Sequence, residues 1–591
     1  MKIKILVAGL LMSASVVQAV TLSVTNEAGQ LLPQVMVSRY PVNSPPQDIS
    51  DNGYAPDGVT NPSAVVLTRF TNTLGQVSFD DDTQDYRYRI RAQAYVDANV
   101  TTADKTVVLQ KMSKEQEINS YTSNVWLSQL QFGGDLELKK RFQLNCAFCH
   151  QQASPFMRNE RTVEQWISVF ERMNSFGARL PPADHQQVAQ LLQKEYRALR
   201  EDPSSVPAPK AWESHLAEVE MTEWPIGDGF SQMHDLLIHP NGYVYIGDNL
   251  FDRLYELDPK TGDYTVYKVP HAEGDALGGF MGNRFTTFPK MENYLGVHSF
   301  ALSKKDGHIF ITPSMQQALL EFDPVSKVFT RHEMDEGYYP HTIRTDENDD
   351  VWFTLALSSQ VARFNRIKAE FKIYDLPARG VKEWLMLKSL PLLFAIDPEN
   401  RPTPSGDRES TGLPMPYGID VAPDGTVWVA RLYANDLARI DPVTDEVTMI
   451  DFPFAGPRRV RIDAEGNLWI VAFQDSLLVK YNPQTAQFTP YELPVVNEIP
   501  YALNVDRERR IVWVNGNQSD TLLGFDIANE SWKVYPMPRQ RFFTRDVEIS
   551  EHDGAIYTTN SHFPTWQSEG GVPTLLRLQL LPVAEKEHAL H

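Results

Sequence analysis

The second half of the chain repeats one sequence unit seven times, and this repetition limits the possible fold more than any other feature. Each copy opens with a polar residue and runs through a short apolar stretch. It then turns, mostly at Asp-Gly or Asn-Gly, into a second apolar stretch, as in PYGIDVAPDGTVWVARLY. Such dipeptides favour tight hairpin turns. Four short strands at a period of roughly 40 residues predict a seven-bladed β-propeller over residues 213–582.

One insertion interrupts this repeat. Residues 379–413 separate the third copy from the fourth and are rich in proline. Long connections of this kind are mostly exposed or functional segments in compact domains. We expect the insertion to form a loop that covers one face of the propeller.

Polar side chains begin the first strand of every copy, where a buried strand would carry apolar ones. The start of the first strand and the end of the second lie at the same end of an antiparallel hairpin, so both positions should face the central mouth. Converging polar groups mark a binding site, although a solvated rim is also often polar. The first set comprises His234, His298, His341, Tyr417, Arg458, Tyr501 and Arg545. The second set includes Asp248, Leu355, Arg431, Asn515 and Asn560.

These mouth residues suit three kinds of chemistry. His234 with Asp248 would form a general base and its orienting acid. The three histidines would suit a divalent metal ion, and the arginines, Arg431 included, favour an anionic group such as a carboxylate. We expect most of the set to contact substrate. The net charge of −21 argues against a nucleic-acid partner and makes this local positive charge informative.

The only two cysteines of the 591 residues stand in the stretch NCAFCHQQ. Cys146, Cys149 and His150 form the C-x-x-C-H pattern of c-type haem attachment. Two thiols on one turn reach the two vinyl groups of a porphyrin, and the adjacent imidazole falls under the iron. A thioredoxin-like pair would open a helix after a strand, whereas residues 136–144 upstream look helical. A zinc site would need two further ligands nearby. We therefore expect one covalent haem c.

Two more helices are predicted after this motif, at 161–173 and from 183 to about 199. The C-x-x-C-H motif, the R-T-x-E-x-W stretch and the R-M helix ending resemble the small cytochrome c domains fused to periplasmic dehydrogenases and lyase-like proteins, over residues 120–202. The resemblance implies Met173 as the sixth iron ligand. Met157 is closer in sequence and is the rival, and a histidine or an open sixth position would also be compatible with the sequence.

The first residues have the features of a secretory signal peptide. Residues 1–19 combine a basic start, a short apolar run and a small-residue cleavage site. No later stretch of about 20 apolar residues follows, so no membrane span is expected. We expect an exported, periplasmic protein.

Residues 20–112 alternate apolar and polar positions between Gly and Asn turns, which predicts an antiparallel β-sandwich. The NEAG, TNTLGQVSF and Y-x-Y-x-I-x-A motifs resemble carboxypeptidase-regulatory-like domains. This resemblance implies an accessory module. The chain is thus expected to be multidomain, with a β-sandwich, a small all-α cytochrome domain and a β-propeller.

The repeat unit itself resembles the streptogramin (virginiamycin B) lyase propeller over nearly all of residues 225–580. The P-H-x-I, PYGIDVAPDGTVW and DPVT motifs carry this resemblance. It implies a mouth that binds a metal ion and substrate, with His341 as the catalytic histidine. The W-F-T-E strand of that family supplies an acidic partner to the metal site. Here the strand reads WFTL, with Leu355 in place of the acid, which weighs against lyase chemistry.

Three functional hypotheses follow. The first is a periplasmic oxidoreductase or electron carrier, whose propeller binds a small anionic substrate or a redox partner protein. The second is a C–O lyase with an accessory haem domain. The third is a non-catalytic binding propeller. Because haem would occupy both thiols, no cysteine-derived quinone cofactor is expected.

Overall fold

The computed structural model describes residues 19–42, 65–80, 85–101, 105–178, 180–282, 293–396 and 413–582. Residues 1–18 of the predicted signal peptide lie outside the described residues. Among the described residues, no helix has the length and apolar character needed to cross a membrane.

The N-terminal strands form two sheets around one core. Leu22, Phe79, Tyr88 and Ile90 are almost fully buried between them. The strands are β1 (Ala19–Asn26), β2 (Met36–Pro41), β3 (Val66–Phe70), β4 (Gln76–Asp80), β5 (Tyr86–Arg91), β6 (Ala98–Thr101) and β7 (Thr106–Leu109). The sheet orders are β4-β1-β7 and β3-β2-β5-β6. The structure differs from the predicted antiparallel sandwich in one pair, because β1 and β7 are parallel.

A helical segment follows the sandwich. Several of its helices begin at a side-chain cap. Asp135 accepts from the N–H of Leu138 at the start of the helix that carries the cysteine motif, and Thr162 and Gln165 form a capping box on the next. The helices are α1 (Lys114–Asn119), α2 (Ser123–Ser128), α3 (Leu136–Cys146), α4 (Val163–Ser175) and α5 (Pro182–Glu201). The three predicted helices correspond to α3, α4 and α5.

The described residues between 219 and 580 form seven four-stranded antiparallel blades, as the repeat predicts. The strands before and within the first three blades are β8 (Val219–Pro225), β9 (Met233–Ile238), β10 (Val244–Asp248), β11 (Arg253–Leu257), β12 (Tyr264–Lys268), β13 (Val297–Leu302), β14 (Ile309–Pro313), β15 (Ala318–Asp323), β16 (Val328–Glu333), β17 (Pro340–Thr345), β18 (Val351–Leu355), β19 (Gln360–Asn365) and β20 (Glu370–Asp375).

The remaining blades follow one further helix, α6 (Val381–Phe394). Their strands are β21 (Pro416–Val421), β22 (Val427–Arg431), β23 (Asp436–Ile440), β24 (Val447–Asp451), β25 (Pro457–Ile462), β26 (Leu468–Ala472), β27 (Leu477–Asn482), β28 (Gln487–Glu492), β29 (Leu503–Asp506), β30 (Ile511–Gly516), β31 (Thr521–Asp526), β32 (Ser531–Pro536), β33 (Glu548–Ile549), β34 (Ile556–Thr559) and β35 (Thr574–Leu580).

The seventh blade closes the ring with strands from both ends of the propeller. Its order is β33-β34-β35-β8, so the first propeller strand pairs with the last. The outer edge of β8 also pairs with β3 of the sandwich, which makes one continuous eight-stranded sheet. The sandwich edge and the blade edge therefore cover each other.

The insertion between the third and fourth blades differs from the predicted loop. Its first part is helix α6, and residues 397–412 lie outside the described residues. Arg379 supports the start of this helix through an ion pair with Glu383. The proline content suggested a loop, but Pro391 is accommodated within the helix.

The helical segment and the propeller share one hydrophobic cluster. Leu138, Phe142 and Trp166 of the helices belong to the same buried cluster as Tyr417 and Phe473 of the blades. The segment therefore packs over the propeller mouth, and the all-α domain expected from the sequence has no core separate from the blades among the described residues.

Candidate functional site

One cavity of about 450 Å³ lies between the helical segment and the propeller mouth. The helical side contributes Cys146, Cys149, His150, Met157 and Met173. The propeller side contributes His234, His298, His341, Tyr417, Tyr501 and Arg545. The cysteine motif and most of the first set thus face the same cavity, which has the size of a small-molecule site.

The C-x-x-C-H motif stands at the end of α3. Cys146 is the last helical residue, and the chain then turns so that Cys149 and His150 also reach the cavity. Both thiols are free of disulfide bonds. Burial raises the pKa of the Cys146 thiol to about 12, with a smaller contribution from Cys149.

His150 is held in one tautomer. Its Nδ1 lies 3.0 Å from the backbone oxygen of Gln151. A carbonyl oxygen can only accept, so Nδ1 carries the proton and Nε2 keeps a lone pair. Burial lowers the pKa of His150, which favours the neutral ring. A neutral imidazole whose other nitrogen donates to a carbonyl is the usual form of a metal-ligating histidine.

Hydrogen bonds attach the motif to the propeller. Gln151 Nε2 donates to Asp520 Oδ1 over 2.7 Å, and the backbone N–H of Gln152 donates to Gln518 Oε1 over 2.9 Å. The N–H of Phe563 donates to the backbone oxygen of Cys149 over 2.9 Å. These contacts fix the position of the cysteine motif relative to the mouth.

Three histidines from consecutive blades form a row in the mouth, here named the histidine row. Ring centroids of His234 and His298 lie 3.7 Å apart, and those of His298 and His341 lie 4.1 Å apart. The rings are almost fully buried, and all three line the cavity. Burial lowers the pKa of each ring, that of His234 to about 4. The row is therefore neutral at neutral pH.

The residue after each histidine accepts from its Nδ1. His234 donates to Asp235 Oδ1 over 2.7 Å. His298 Nδ1 lies 3.0 Å from the hydroxyl of the following Ser299, which itself donates to Asp235. His341 Nδ1 lies 3.0 Å from the Thr342 hydroxyl. All three rings thus carry their proton on Nδ1, and each Nε2 lone pair has no hydrogen-bond donor within the described ranges.

A buried ion pair between Arg459 and Asp235 supports the histidine row. Arg459 Nη2 lies 3.2 Å from Asp235 Oδ1, and its Nη1 donates to the Thr342 hydroxyl over 2.9 Å. Burial alone would raise the pKa of Asp235, but Arg459 and His234 together lower it below its ordinary value. Asp235 is therefore a carboxylate, and it orients His234.

Bulges in the first strands explain how two consecutive residues reach the mouth. In the third blade, β17 pairs with β18 through Pro340 opposite Leu355 and then Ile343 opposite Phe353. Two residues of β17 therefore oppose one residue of β18. The same register shift occurs in the first, second and fifth blades. A bulge of this kind redirects a side chain that strict alternation would send to the other face.

The other side of the mouth carries tyrosine and arginine, here named the tyrosine–arginine group (Tyr417, Arg458, Tyr501 and Arg545). The phenol oxygens of Tyr417 and Tyr501 lie 2.5 Å apart. Arg458 donates to Tyr417 over 2.7 Å, and Arg545 donates to Tyr501 over 3.1 Å. The Arg458 guanidinium also lies 3.3 Å from the Tyr501 ring centroid. All four side chains are buried.

The sequence predicted that Asp248 orients His234, and the structure shows a different role for Asp248. Its Oδ1 accepts from the backbone N–H groups of Gln232 and Leu250. Asn515 likewise accepts from the N–H groups of Tyr501 and Ala502. These residues of the second set stabilise the backbone where each first strand begins. His234 Nδ1 instead donates to Asp235, the next residue in the chain.

Arg431, predicted as a substrate contact, also has a structural role. Its guanidinium forms a two-point ion pair with Asp436 on the adjacent strand and donates to the backbone oxygen of Pro377. It does not line the cavity. Arg431 pairs with Pro416 across the blade, so it shares the face of the residue before Tyr417 and not that of Tyr417 itself.

Asp235, Thr342 and Arg459 are site residues that the sequence analysis missed. They immediately follow mouth residues in their copies, at positions where an unbroken strand would place them away from the mouth. The only sequence signal was the repeated occurrence of a polar residue after the mouth residue in several copies.

The strand pairing defines a seven-bladed β-propeller. Comparison with solved structures finds known propellers of low similarity. No family model and no curated protein sequence matches the chain. A solved streptogramin B lyase shares 15% identity over 61% of this chain and 98% of its own, with a TM-score of 0.46.

Two further solved structures are similarly distant. The selenomethionine-substituted virginiamycin B lyase from Staphylococcus aureus shares 14% identity over 62% of this chain and 100% of its own, with a TM-score of 0.46. YCF48 bound to a D1 peptide shares 10% identity over 59% of this chain and 92% of its own, with a TM-score of 0.40. Similarities this low say nothing about activity.

Proposed function

We propose that this chain is an exported c-type haem protein with electron-transfer activity, whose propeller mouth binds a small anionic substrate or a partner protein beside the haem. One observation carries the proposal: the C-x-x-C-H motif and the polar mouth residues line the same cavity. A substrate held by the mouth would lie in the same cavity as the proposed haem.

The donor groups present suit a haem. Cys146 and Cys149 would each add a thiol across one vinyl group, so that the S–C bond forms and the thiol hydrogen moves to the second vinyl carbon. His150 would supply Nε2 as the proximal ligand. Met173 and Met157 both line the cavity, so each remains a candidate for the sixth position. When bound, the haem would supply one-electron chemistry.

The mouth would supply binding. Arg545 would attract an anionic group, since it lines the cavity and pairs with no carboxylate among the described side chains. The histidine row would accept a proton or hold a divalent metal ion, because its three Nε2 lone pairs belong to neutral rings. Ligand atoms of His234, Asp235 and His298 lie within 4.8 Å of one another.

The lyase hypothesis has weaker support from this chain. His341 keeps its place in the mouth, but Leu355 offers no metal ligand and is fully buried. Substrate turnover that leaves the haem spectrum unchanged and disappears in His341→Ala would favour the lyase. Binding without turnover would favour a recognition propeller.

The haem proposal is tested by expressing the full chain with a c-type maturation system in a bacterial periplasm. We expect a covalently bound haem with the sharp reduced bands of a six-coordinate c-type protein, and its loss in Cys146→Ser/Cys149→Ser. Met173→Ala and Met157→Ala are compared for loss of the methionine–iron band, and only one should lose it. A folded chain that carries no covalent haem under these conditions would overturn the proposal.

A further inference from the structure

Helix α6 exposes an apolar stripe on the side that faces away from the propeller. Positions i, i+3, i+4 and i+11 fall on one side of a helix. The four side chains at these positions are at least half exposed: Val381 at 75%, Trp384 at 51%, Leu385 at 56% and Leu392 at 77%. Single exposed apolar residues are common on protein surfaces, whereas a contiguous set of them marks a contact surface.

The opposite side of α6 is packed against the protein, so loose attachment does not explain the exposed stripe. Glu383 and Leu390 are buried on that side. The ring centroid of Phe394 lies 5.1 Å from that of Phe280 and 4.6 Å from that of Tyr338. The helix is therefore apolar on both sides, although a surface helix of a globular protein normally turns polar residues outward.

The exposed charges of α6 have the opposite sign to the net charge of the chain. The chain carries 76 acidic and 55 basic side chains. Within α6 the exposed charged residues are Lys382 and Lys388, and the single acid, Glu383, is buried and pairs with Arg379. Lys388 also pairs with Asp375 over 3.5 Å, but both side chains are exposed and such pairs contribute little. The apolar stripe and its lysines together complement an anionic apolar surface.

We propose that α6 lies on the surface of an anionic lipid bilayer and attaches the protein to it peripherally. An apolar stripe that contains tryptophan and is accompanied by lysines is typical of a helix in the bilayer interface. The 14 residues of α6 span about 21 Å, which is too short to cross a hydrocarbon core of about 30 Å. The stripe stands out as a ridge, which a fluid lipid surface accommodates without a matching groove. The lysine ammonium groups would reach the lipid phosphates.

The attachment would bring the lipid surface next to the cavity. Arg379, just before α6, donates to the backbone oxygen of Tyr433 over 3.1 Å, and Tyr433 lines the cavity. At the other end of the helix, the two rings that Phe394 contacts are followed in the chain by Met281 and Tyr339, which also line the cavity. Helix α6 therefore lies at the edge of the cavity.

Sedimentation with vesicles tests the proposal. The full chain is mixed with vesicles of phosphatidylethanolamine and phosphatidylglycerol at low salt, and the bound fraction gives a partition coefficient. We expect Trp384→Ser/Leu385→Ser to lower this coefficient about tenfold or more, because two anchoring side chains are lost. Val325→Ser/Val443→Ser is the matched control, since these side chains are 90% and 88% exposed at turns of the blades. The control should bind as the wild-type protein does.

Two further measurements examine the charge and the depth of the helix. Lys382→Gln/Lys388→Gln should weaken binding to the anionic vesicles and leave any binding to phosphatidylcholine vesicles unchanged. Brominated lipids should quench the Trp384 emission. The quenched part of the emission should disappear in Trp384→Phe, which keeps an apolar aromatic side chain and should still bind.

Three results would overturn the proposal. The first is wild-type protein that remains in solution with every vesicle preparation. The second is an equal partition coefficient for Trp384→Ser/Leu385→Ser and for the control. The third is self-association of the wild-type protein, without vesicle binding, that Trp384→Ser/Leu385→Ser abolishes, because the stripe would then contact a second copy. Vesicle binding does not require haem, so the same measurements on Cys146→Ser/Cys149→Ser distinguish failure of this proposal from failure of the proposed function.

Discussion

The two sides of the propeller mouth are built from the same repeat position, but their buried charged groups have different partners. On the histidine row, every ring is neutral and is oriented by the residue that follows it, and the one buried cation beneath the row has a carboxylate partner. In the tyrosine–arginine group, the buried cations contact phenols and aromatic rings but no carboxylate within the described ranges.

This difference separates two ways of accommodating buried charge. Asp235 gives the histidine row a fixed anion, since Arg459 and His234 keep it ionised. The cations of the tyrosine–arginine group have only phenols and aromatic rings as partners among the described residues. Removing a charged side chain from the histidine row therefore leaves its buried partner unpaired, whereas removing a cation from the tyrosine–arginine group does not. We expect the larger loss of stability on the histidine row.

Acidification should produce the largest effect, and it should act through the histidine row. The pKa of His234 is lowered from 6.5 to about 4 by burial, and those of His298 and His341 are lowered in the same direction. The unfolded chain therefore binds more protons below pH 6.5 than the folded chain. Stability is fully present above that value and falls towards pH 4, by about 1.4 kcal/mol per pH unit for each histidine.

Unfolding by denaturant at a series of pH values measures this slope. His234→Asn should reduce the slope, whereas the surface variant His271→Asn serves as the control and should not. An unchanged slope in His234→Asn would mean that the ring is already charged in the folded protein.

The next effect directly compares the two sides. Asp235→Ala leaves Arg459 buried without its anion, and removal of one partner of a buried pair costs about 3–5 kcal/mol. Arg458→Met should cost less, about 1–2 kcal/mol, because it removes a hydrogen bond to Tyr417 but leaves no buried carboxylate without a partner. The free energies of unfolding are compared at neutral pH, with Glu370→Ala as an exposed control.

Equal losses in Asp235→Ala and Arg458→Met would break the comparison. That result would mean that Arg458 also has a fixed counter-charge. A loss in Asp235→Ala no larger than that of the control would instead show that Arg459 reaches water when its partner is removed.

Much of this architecture could be predicted from the sequence, because the repeat marks both strands and turns of each blade. The first set of mouth residues was found because it occupies one position in all copies. Asp248 and Arg431 do not line the cavity as expected, because end-of-hairpin geometry does not show which face a side chain takes. Asp235 and Arg459 were missed for a related reason: only the bulge in the first strand turns two consecutive residues inward.

The cysteine motif shows a different limit. Its spacing and the helix before it could be predicted from local sequence, and α3 confirms the helix. Its position over the mouth could not, because the contacts of Gln151 and Gln152 join residues more than 360 positions apart. Contacts between residues so far apart in the chain produce no local sequence pattern from which they could be predicted.

The smallest expected effect concerns a single hydroxyl of the histidine row. Thr342 accepts from His341 Nδ1 and from Arg459 Nη1, so Thr342→Val removes both bonds at nearly constant volume. We expect a loss of about 1–2 kcal/mol in unfolding free energy. Thr342→Ser keeps the hydroxyl and should recover most of it. If valine and serine behave alike, the backbone oxygen of Tyr417, which lies 3.3 Å from the same nitrogen, is sufficient to orient His341. The orienting role of the following residue would then hold for His234 and His298 alone.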